Sequence, residues 1–74
     1  MSNLRKIRES RKYTQGKLSY LSHVNIRTIK AYEQGYRDIN KASGDTLKKL
    51  ASTLHCSIED LLEDDTKYSR EQQG

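Results

Sequence analysis

The sequence contains no proline, only one cysteine and no long hydrophobic run. Hydrophobic and charged residues each make up 32% of its 74 residues. A β-sandwich or β-barrel would need turn-forming residues and β-branched runs, so this composition favours a small all-helical globule. A single cysteine excludes an internal disulfide and a zinc site with four cysteine ligands, and it fits a reducing compartment.

The chain has no segment that approaches the roughly 20 apolar residues of a membrane-spanning helix, and its start lacks the apolar region of a signal peptide. We therefore expect a cytoplasmic protein without membrane contact. With 74 residues it forms one small domain. Such a domain buries only about 60% of its extended-chain surface, which leaves little room for the deep cleft of a multi-step enzyme.

Charge is distributed unevenly along the chain. Residues 1–49 carry twelve Lys and Arg against four acidic residues, whereas residues 50–74 carry two against six. A basic body with an acidic end is typical of proteins that bind nucleic acid. Solvated helix faces are often rich in lysine as well, so the charge alone leaves both interpretations open.

Capping residues and apolar spacing predict five short helices. The first predicted helix runs from Ser2 or Asn3 to about Arg11, and the second covers residues 15–22 after the N-cap Thr14. The third covers residues 26–34, between Asn25 and Gly35. The fourth follows Ser43 and includes Leu54, and a short fifth helix follows Ser57. Ser57 and Asp60 match a capping box. Residues 1–63 are predicted to form the domain, residues 36–42 an irregular polar loop, and residues 64–74 a polar tail that frays.

Apolar residues at helical spacing predict the core. The inward set is Leu4, Ile7, Leu18, Leu21, Val24, Ile29, Tyr32, Leu47, Leu50, Ala51, Leu54, Ile58, Leu61 and Leu62.

Two segments, LSHVN and TLHCS, have the same pattern, in which a helix end is followed by His, a small apolar residue and the next N-cap. We expect positive φ at His23 and His55, since His tolerates that region better than most non-glycine residues.

The segment TQGKLSYLSHVNIRTIKAYEQGYR, residues 14–37, resembles the phage-repressor/Cro (XRE-like) helix-turn-helix family. The matching residues are Thr14, Gln15, Leu18, Val24, Thr28, Ile29, Tyr32, Glu33, Gly35 and Arg37. Residues 45–62 are similar to the closing helices of that family, so the resemblance covers about residues 3–63. It implies an all-α, lambda-repressor-like DNA-binding domain whose helix-turn-helix consists of helices 2 and 3.

Three departures from the family pattern stand out. Ser19 replaces a small alanine, and His23 replaces a turn glycine at some backbone cost. The chain between Gly35 and Leu47 is a few residues longer than the common pattern, and Ile39 stands near the position of a habitual proline.

The resemblance implies that helix 3 enters the major groove of double-stranded DNA. Base contacts are expected from Ile26, Arg27, Thr28, Lys30 and Ala31, and phosphate contacts from Gln15, Asn25, Gln34, Tyr36, Arg37 and Lys41. A guanidinium can bond guanine O6 and N7 together, and a methyl group can pack on that of thymine. The alternatives are an ordinary solvated face for Arg27 and Lys30, turn support for Ile26, and a simple helix-start residue for Gln15.

Glu33 needs a separate explanation, because a carboxylate next to DNA would repel it. The family comparison implies a partly buried ion pair between Glu33 and Arg8 of the first helix. His23, His55 and Cys56 are the only soft metal ligands, and the last two are adjacent in sequence, a poor geometry for tetrahedral zinc. No third group orients a Cys/His pair for catalysis. We therefore expect no metal, no cofactor and no enzymatic activity.

These features predict a sequence-specific transcriptional regulator associated with the nucleoid, acting as a repressor of a phage, mobile-element or bacterial operator. It is expected to bind as a homodimer, because one recognition helix reads few base pairs. Ile39, Leu62 and Tyr68 are candidate apolar contacts between subunits. The alternative is a protein-interaction module of the same fold, such as an antitoxin or adaptor, which would use the acidic end and the outer helices.

Overall fold

The computed structural model describes residues 2–63. This part of the chain contains no strand, and its helices are α1 (Asn3–Ser10), α2 (Gln15–Ser22), α3 (Ile26–Gln34), α4 (Gly44–Leu54) and α5 (Ile58–Leu61). The predicted all-α class with five short helices is confirmed. None of the described helices is long and apolar enough to cross a membrane. Met1 and the predicted tail 64–74, which includes Tyr68, lie outside the described residues.

A side-chain N-cap precedes every α-helix. The cap oxygens of Ser2, Thr14, Asn25, Ser43 and Ser57 each accept a hydrogen bond from a backbone N–H of the helix that follows. Each bond satisfies a donor that the first helical turn leaves without an intrahelical partner. At α5 the predicted capping box is complete, because the Asp60 carboxylate also accepts from the backbone N–H of Ser57.

Left-handed residues end three of the helices. His23 has φ 62° and His55 has φ 56°, as the sequence predicts, and Gly35 after α3 has φ 85°. Lys12, in the turn between α1 and α2, also has φ 62°. This fourth position was not predicted, since lysine has no side-chain feature that favours the region, where an L-residue costs about 1–2 kcal/mol.

The core lies at the centre of the helices, and each of them contributes to it. The side chains with almost no exposed surface are Leu4, Leu18, Ile29, Leu50, Leu54 and Leu61. They come from α1, α2, α3, α4 and α5, so no helix is an appendage. The orientation of each helix is therefore fixed by the same apolar cluster.

Leu21 was predicted to face inward, and this is wrong: it is 39% exposed. At about 100° per residue, Leu18 and Ser22 fall on the same side of α2, whereas Leu21 falls on its flank. Ser22 is buried in the position that the prediction gave to Leu21.

The α3–α4 loop, residues 36–42, is more ordered than predicted. It contains a 3-10 turn at Ile39–Lys41, which begins with the Asp38 side chain accepting from the backbone N–H of Asn40. Ile39 is only 4% exposed and belongs to the core. Its predicted role as an apolar contact between subunits is therefore wrong, because the turn directs this side chain into its own domain. Leu62 is half-buried and packs against the same core.

Candidate nucleic-acid interface

The two sides of α3 differ in burial and in charge. Ile29 and Tyr32 are buried in the core, whereas Arg27 and Lys30 are exposed. The helical period places these pairs on different sides of the helix. One side of α3 therefore holds it to the domain, and the other presents two cations to solvent.

The five residues predicted to contact bases all lie in the first two turns of α3. Arg27 and Lys30 are exposed, and Ile26, Thr28 and Ala31 are half-buried. The side chains of Arg27, Thr28 and Lys30 make no hydrogen bond or ion pair within residues 2–63. By contrast, Arg5, Arg8 and Lys49 each pair with a carboxylate. The exposed side of α3 therefore has unused hydrogen-bond donors next to apolar groups.

Arg27 occupies an electrostatically unfavourable position. It is the second residue of α3, and its backbone N–H donates to the cap oxygen of Asn25 at 2.7 Å. The N-terminal end of a helix carries partial positive charge, so a cation there is less stable than an anion by some tenths of a kcal/mol. Local helix energetics therefore do not explain an arginine at this position.

A buried ionic network fixes the orientation of α3. Arg8 donates to both carboxylate oxygens of Glu33, with Nε to Oε2 at 2.7 Å and Nη2 to Oε1 at 3.0 Å. Its Nη1 donates to the backbone carbonyl of Tyr13 at 2.7 Å. The side chains of Arg8 and Glu33 are only 10% and 2% exposed. Bidentate pairs of this kind fix geometry as well as distance, so α1 holds α3 at one angle.

The same network raises the pKa of Arg8. Its hydrogen bond to Glu33 raises the pKa of Arg8 above the ordinary value, and this outweighs the opposing effect of desolvation. An arginine is already protonated at any physiological pH. Arg8 is therefore the permanently charged member of the link between α1 and α3.

Gln15 joins this network, which sequence reasoning did not anticipate. Its Nε2 donates to Glu33 Oε1 at 3.0 Å, so the first residue of α2 contacts the end of α3. The backbone N–H groups of Gln15 and Gly16 find no acceptor within residues 2–63. A helix start with unsatisfied N–H groups favours an anion. Gln15 therefore combines an internal contact with a position suited to phosphate.

The other residues predicted to contact phosphate lie at the two ends of α3 and in the loop beyond it. Asn25 caps α3, and Gln34 is exposed near its end. The backbone N–H groups of Tyr36 and Arg37 both donate to the Ala31 carbonyl, at 2.9 and 3.2 Å, which keeps this part of the loop against α3. The Arg37 guanidinium lies 5.6 Å from the centre of the Tyr32 ring. Tyr36 is 81% exposed, and Lys41 is exposed in the 3-10 turn.

The three potential soft ligands lie at the junctions that follow α2 and α4. His23 and His55 occupy exposed turns after α2 and α4, and Cys56 is half-buried. Burial raises the pKa of the Cys56 thiol, and the charge of Asp60 raises it further. Within residues 2–63 no three His, Cys, Asp or Glu side chains form a group that could hold a metal ion.

Comparison with protein families agrees with this geometry. A helix-turn-helix family model matches residues 4–61, from the first turn of α1 to the end of α5. The chain belongs to the XRE-like helix-turn-helix family. No significant match was found among curated proteins or among solved structures. This helix-turn-helix protein is a DNA-binding regulator, in a family that is typically not enzymatic.

Proposed function

We propose that this helix-turn-helix protein binds double-stranded DNA sequence-specifically and represses a phage, mobile-element or bacterial operator. Its recognition helix is α3, which lies in the major groove. The observation that carries the proposal is the exposed side of α3, where Arg27 and Lys30 have no partner within residues 2–63 on a helix whose angle is fixed by the buried Arg8–Glu33 pair.

The exposed side of α3 offers two kinds of base contact. Arg27 and Lys30 are donors suited to guanine O6 and N7, the commonest specific contacts in the major groove. The methyl groups of Ile26, Thr28 and Ala31 are suited to the methyl group of thymine. These three residues are half-buried, so their remaining exposed surface is small and held in place. A site that contains both guanine and thymine in each half is therefore expected.

Phosphate contacts are assigned around this helix. Gln15 would bind one phosphate through the free N–H groups at the start of α2 and the second hydrogen of its amide, while the first hydrogen remains on Glu33. Asn25, Gln34, Tyr36, Arg37 and Lys41 complete the proposed set. Such contacts position the protein on the duplex and supply much of its affinity without reading sequence.

Binding as a homodimer follows from the size of the reading surface. One recognition helix covers a few base pairs, and two copies on half-sites about one helical turn apart gain both affinity and specificity. Because Ile39 is buried, the proposed subunit contact keeps Leu62, the exposed part of the α3–α4 loop, and Tyr68, which lies outside the described residues.

Affinity for duplex DNA, measured across a series of salt concentrations, tests the proposal. Each phosphate that the protein neutralises adds about −0.9 to the slope of log K against log salt concentration. We expect a steep negative slope, and a flat response would overturn DNA binding. The protein-interaction alternative draws on the exposed acids Glu59 and Asp60 of α5, and it predicts that flat response.

Selection of bound sites from a random duplex library would then identify the operator. An inverted repeat is the expected result, with a half-site spacing near one helical turn. A single unrepeated site would contradict the homodimer while leaving the assignment of α3 open to mutational tests.

A further inference from the structure

The α3–α4 loop is held at two consecutive residues. Ile39 places its side chain in the core, and Asn40 binds the segment that follows α5. Both attachments lie between Arg37 and Lys41, in the loop that connects α3 to α4.

Asn40 pairs with residue 63 as one peptide group pairs with another. Its Oδ1 accepts from the backbone N–H of Glu63 at 2.8 Å, and its Nδ2 donates to the backbone carbonyl of Glu63 at 3.0 Å. Only a carboxamide supplies a donor and an acceptor in this arrangement, since a carboxylate has no donor and a hydroxyl is too short. The pairing is thus specific for asparagine at this position.

The same segment is held from its other side by α1. Asn3 Nδ2 donates to the Leu62 carbonyl at 2.7 Å, and the Asn3 backbone N–H donates to Glu63 Oε2 at 2.8 Å. Residues 62 and 63 therefore lie between the start of α1 and the 3-10 turn. The loop is fastened through Asn40 to a segment that is itself fixed to α1.

The residues on both sides of Asn40 are those assigned to phosphate contacts. Arg37 precedes it by three residues and is held to α3 through the Ala31 carbonyl, and Lys41 follows it directly, with its N–H on the Asp38 carbonyl at 2.9 Å. A loop fixed at Ile39 and Asn40 can present both cations without further ordering. Pre-organisation of this kind improves affinity because less conformational entropy is lost on binding.

We propose that Asn40 is a positioning residue for binding the DNA backbone, and that residues 62–63 act in DNA binding through it. This inference rests on the proposed function, because it requires that Arg37 and Lys41 contact phosphate. Asn40 itself touches no DNA in this proposal. Its effect reaches the DNA through the conformation of the loop.

Asn40→Ala and Asn3→Ala form a matched pair of variants. Both remove hydrogen bonds to residues 62–63, but only Asn40→Ala releases the α3–α4 loop. The probe is a duplex of mixed sequence, with wild-type protein as reference, at a temperature where each variant is fully folded. We expect Asn40→Ala to weaken binding about 3- to 10-fold, in line with the loss of one or two hydrogen bonds, and Asn3→Ala to leave it within about 2-fold.

Hydrogen exchange of the free proteins supplies a second measurement. The amides of Arg37 and Lys41 should exchange faster in Asn40→Ala than in Asn3→Ala. If Asn40→Ala lowers stability too far, Asn40→Gln replaces it, since it keeps the carboxamide but displaces it by one methylene group. The same loss of affinity and the same faster exchange are expected of that variant.

The possible outcomes distinguish a failure of the proposed DNA binding from a failure of the positioning role of Asn40. If wild-type protein shows no salt-dependent binding, the proposed function fails and the role of Asn40 fails with it. If wild-type protein binds and the two alanine variants bind equally well, DNA binding stands and the positioning role is overturned. Stronger weakening by Asn3→Ala than by Asn40→Ala would also overturn it.

Discussion

The α2–α3 pair and the α4–α5 pair are built on the same junction. In each, a His in the left-handed region ends the first helix, with φ 62° at His23 and 56° at His55. An apolar residue and an N-cap follow, and the second helix begins with Ile in both pairs. The backbone plan of the helix-turn-helix is therefore present twice in the chain.

The two pairs differ in the charges that follow that isoleucine. In α3 the next residues are Arg27 and Thr28, whereas in α5 they are Glu59 and Asp60. Acidic residues suit a helix start, and arginine does not. α5 therefore follows the rules of helix stability, and α3 departs from them where DNA would lie. The comparison teaches that two pairs with the same junction can differ in the charge of the first turn of their second helix, which is the feature that the proposed DNA contact of α3 requires.

The largest expected difference between α3 and α5 concerns how much the attachment of each helix contributes to the free energy of unfolding. Glu33→Ala should lower the free energy of unfolding by about 3–5 kcal/mol, because it leaves the Arg8 guanidinium buried without its partner. Glu59→Ala, at an exposed position of α5, should change it by no more than about 0.5 kcal/mol. Urea denaturation of both variants measures the difference. Similar values would show that the ionic network adds little to the attachment of α3.

DNA binding should distinguish the same two helices. Arg27→Ala is expected to cost about 1–3 kcal/mol on the selected operator and to relax preference at one base pair. Glu59→Ala should leave the affinity for the operator and the base-pair preference unchanged. Titration of operator and mixed-sequence duplexes measures the effect. An equal loss on both duplexes would mean that Arg27 contacts phosphate alone.

The first helices of the two pairs also differ, because Gln15 begins α2 and Gly44 begins α4. Gln15→Ala should weaken binding to operator DNA and to mixed-sequence DNA by similar factors, each equivalent to about 1 kcal/mol. The factors should be similar because a phosphate contact carries no sequence information. Gly44→Ala is the control, because a Cβ there meets no atom within 4 Å. A change in specificity for Gln15→Ala would indicate that its bond to Glu33 controls the angle of α3.

The smallest expected effect concerns helix stability. Arg27→Glu should raise the free energy of unfolding by about 0.3–1 kcal/mol, because it places an anion at the start of α3. The reciprocal Glu59→Arg should lower it by a similar amount. Thermal denaturation at low salt measures both changes. A destabilised Arg27→Glu would show that Arg27 has a structural role.

Local signals made the helix starts and two of the turns predictable. The capping box of Ser57 and Asp60 depends only on residues that are close in sequence. The same is true of the two turns in which His is followed by an apolar residue and an N-cap. The positive φ of Lys12 and the exposure of Leu21 do not follow from the local sequence, because both depend on packing. The remaining gaps are contacts between distant residues, such as Gln15 with Glu33 and Asn40 with Glu63.

For the candidate interface, the sequence resemblance named the residues, and the structure adds their exposure and their support. Ile39 is an exception. Its apolar character and its position next to the proposed interface favour a subunit contact, but its side chain is part of the core. The direction of the Ile39 side chain depends on the 3-10 turn of the loop, and only the three-dimensional arrangement shows that turn.

The contact between Asn3 and Glu63 also brings the two ends of the described domain together. A short linker between residues 2 and 63 would close the domain into a ring, which makes it a suitable candidate for circular permutation. A fluorescent protein joined directly to residue 2 or to residue 63 would leave the domain at neighbouring points on its surface.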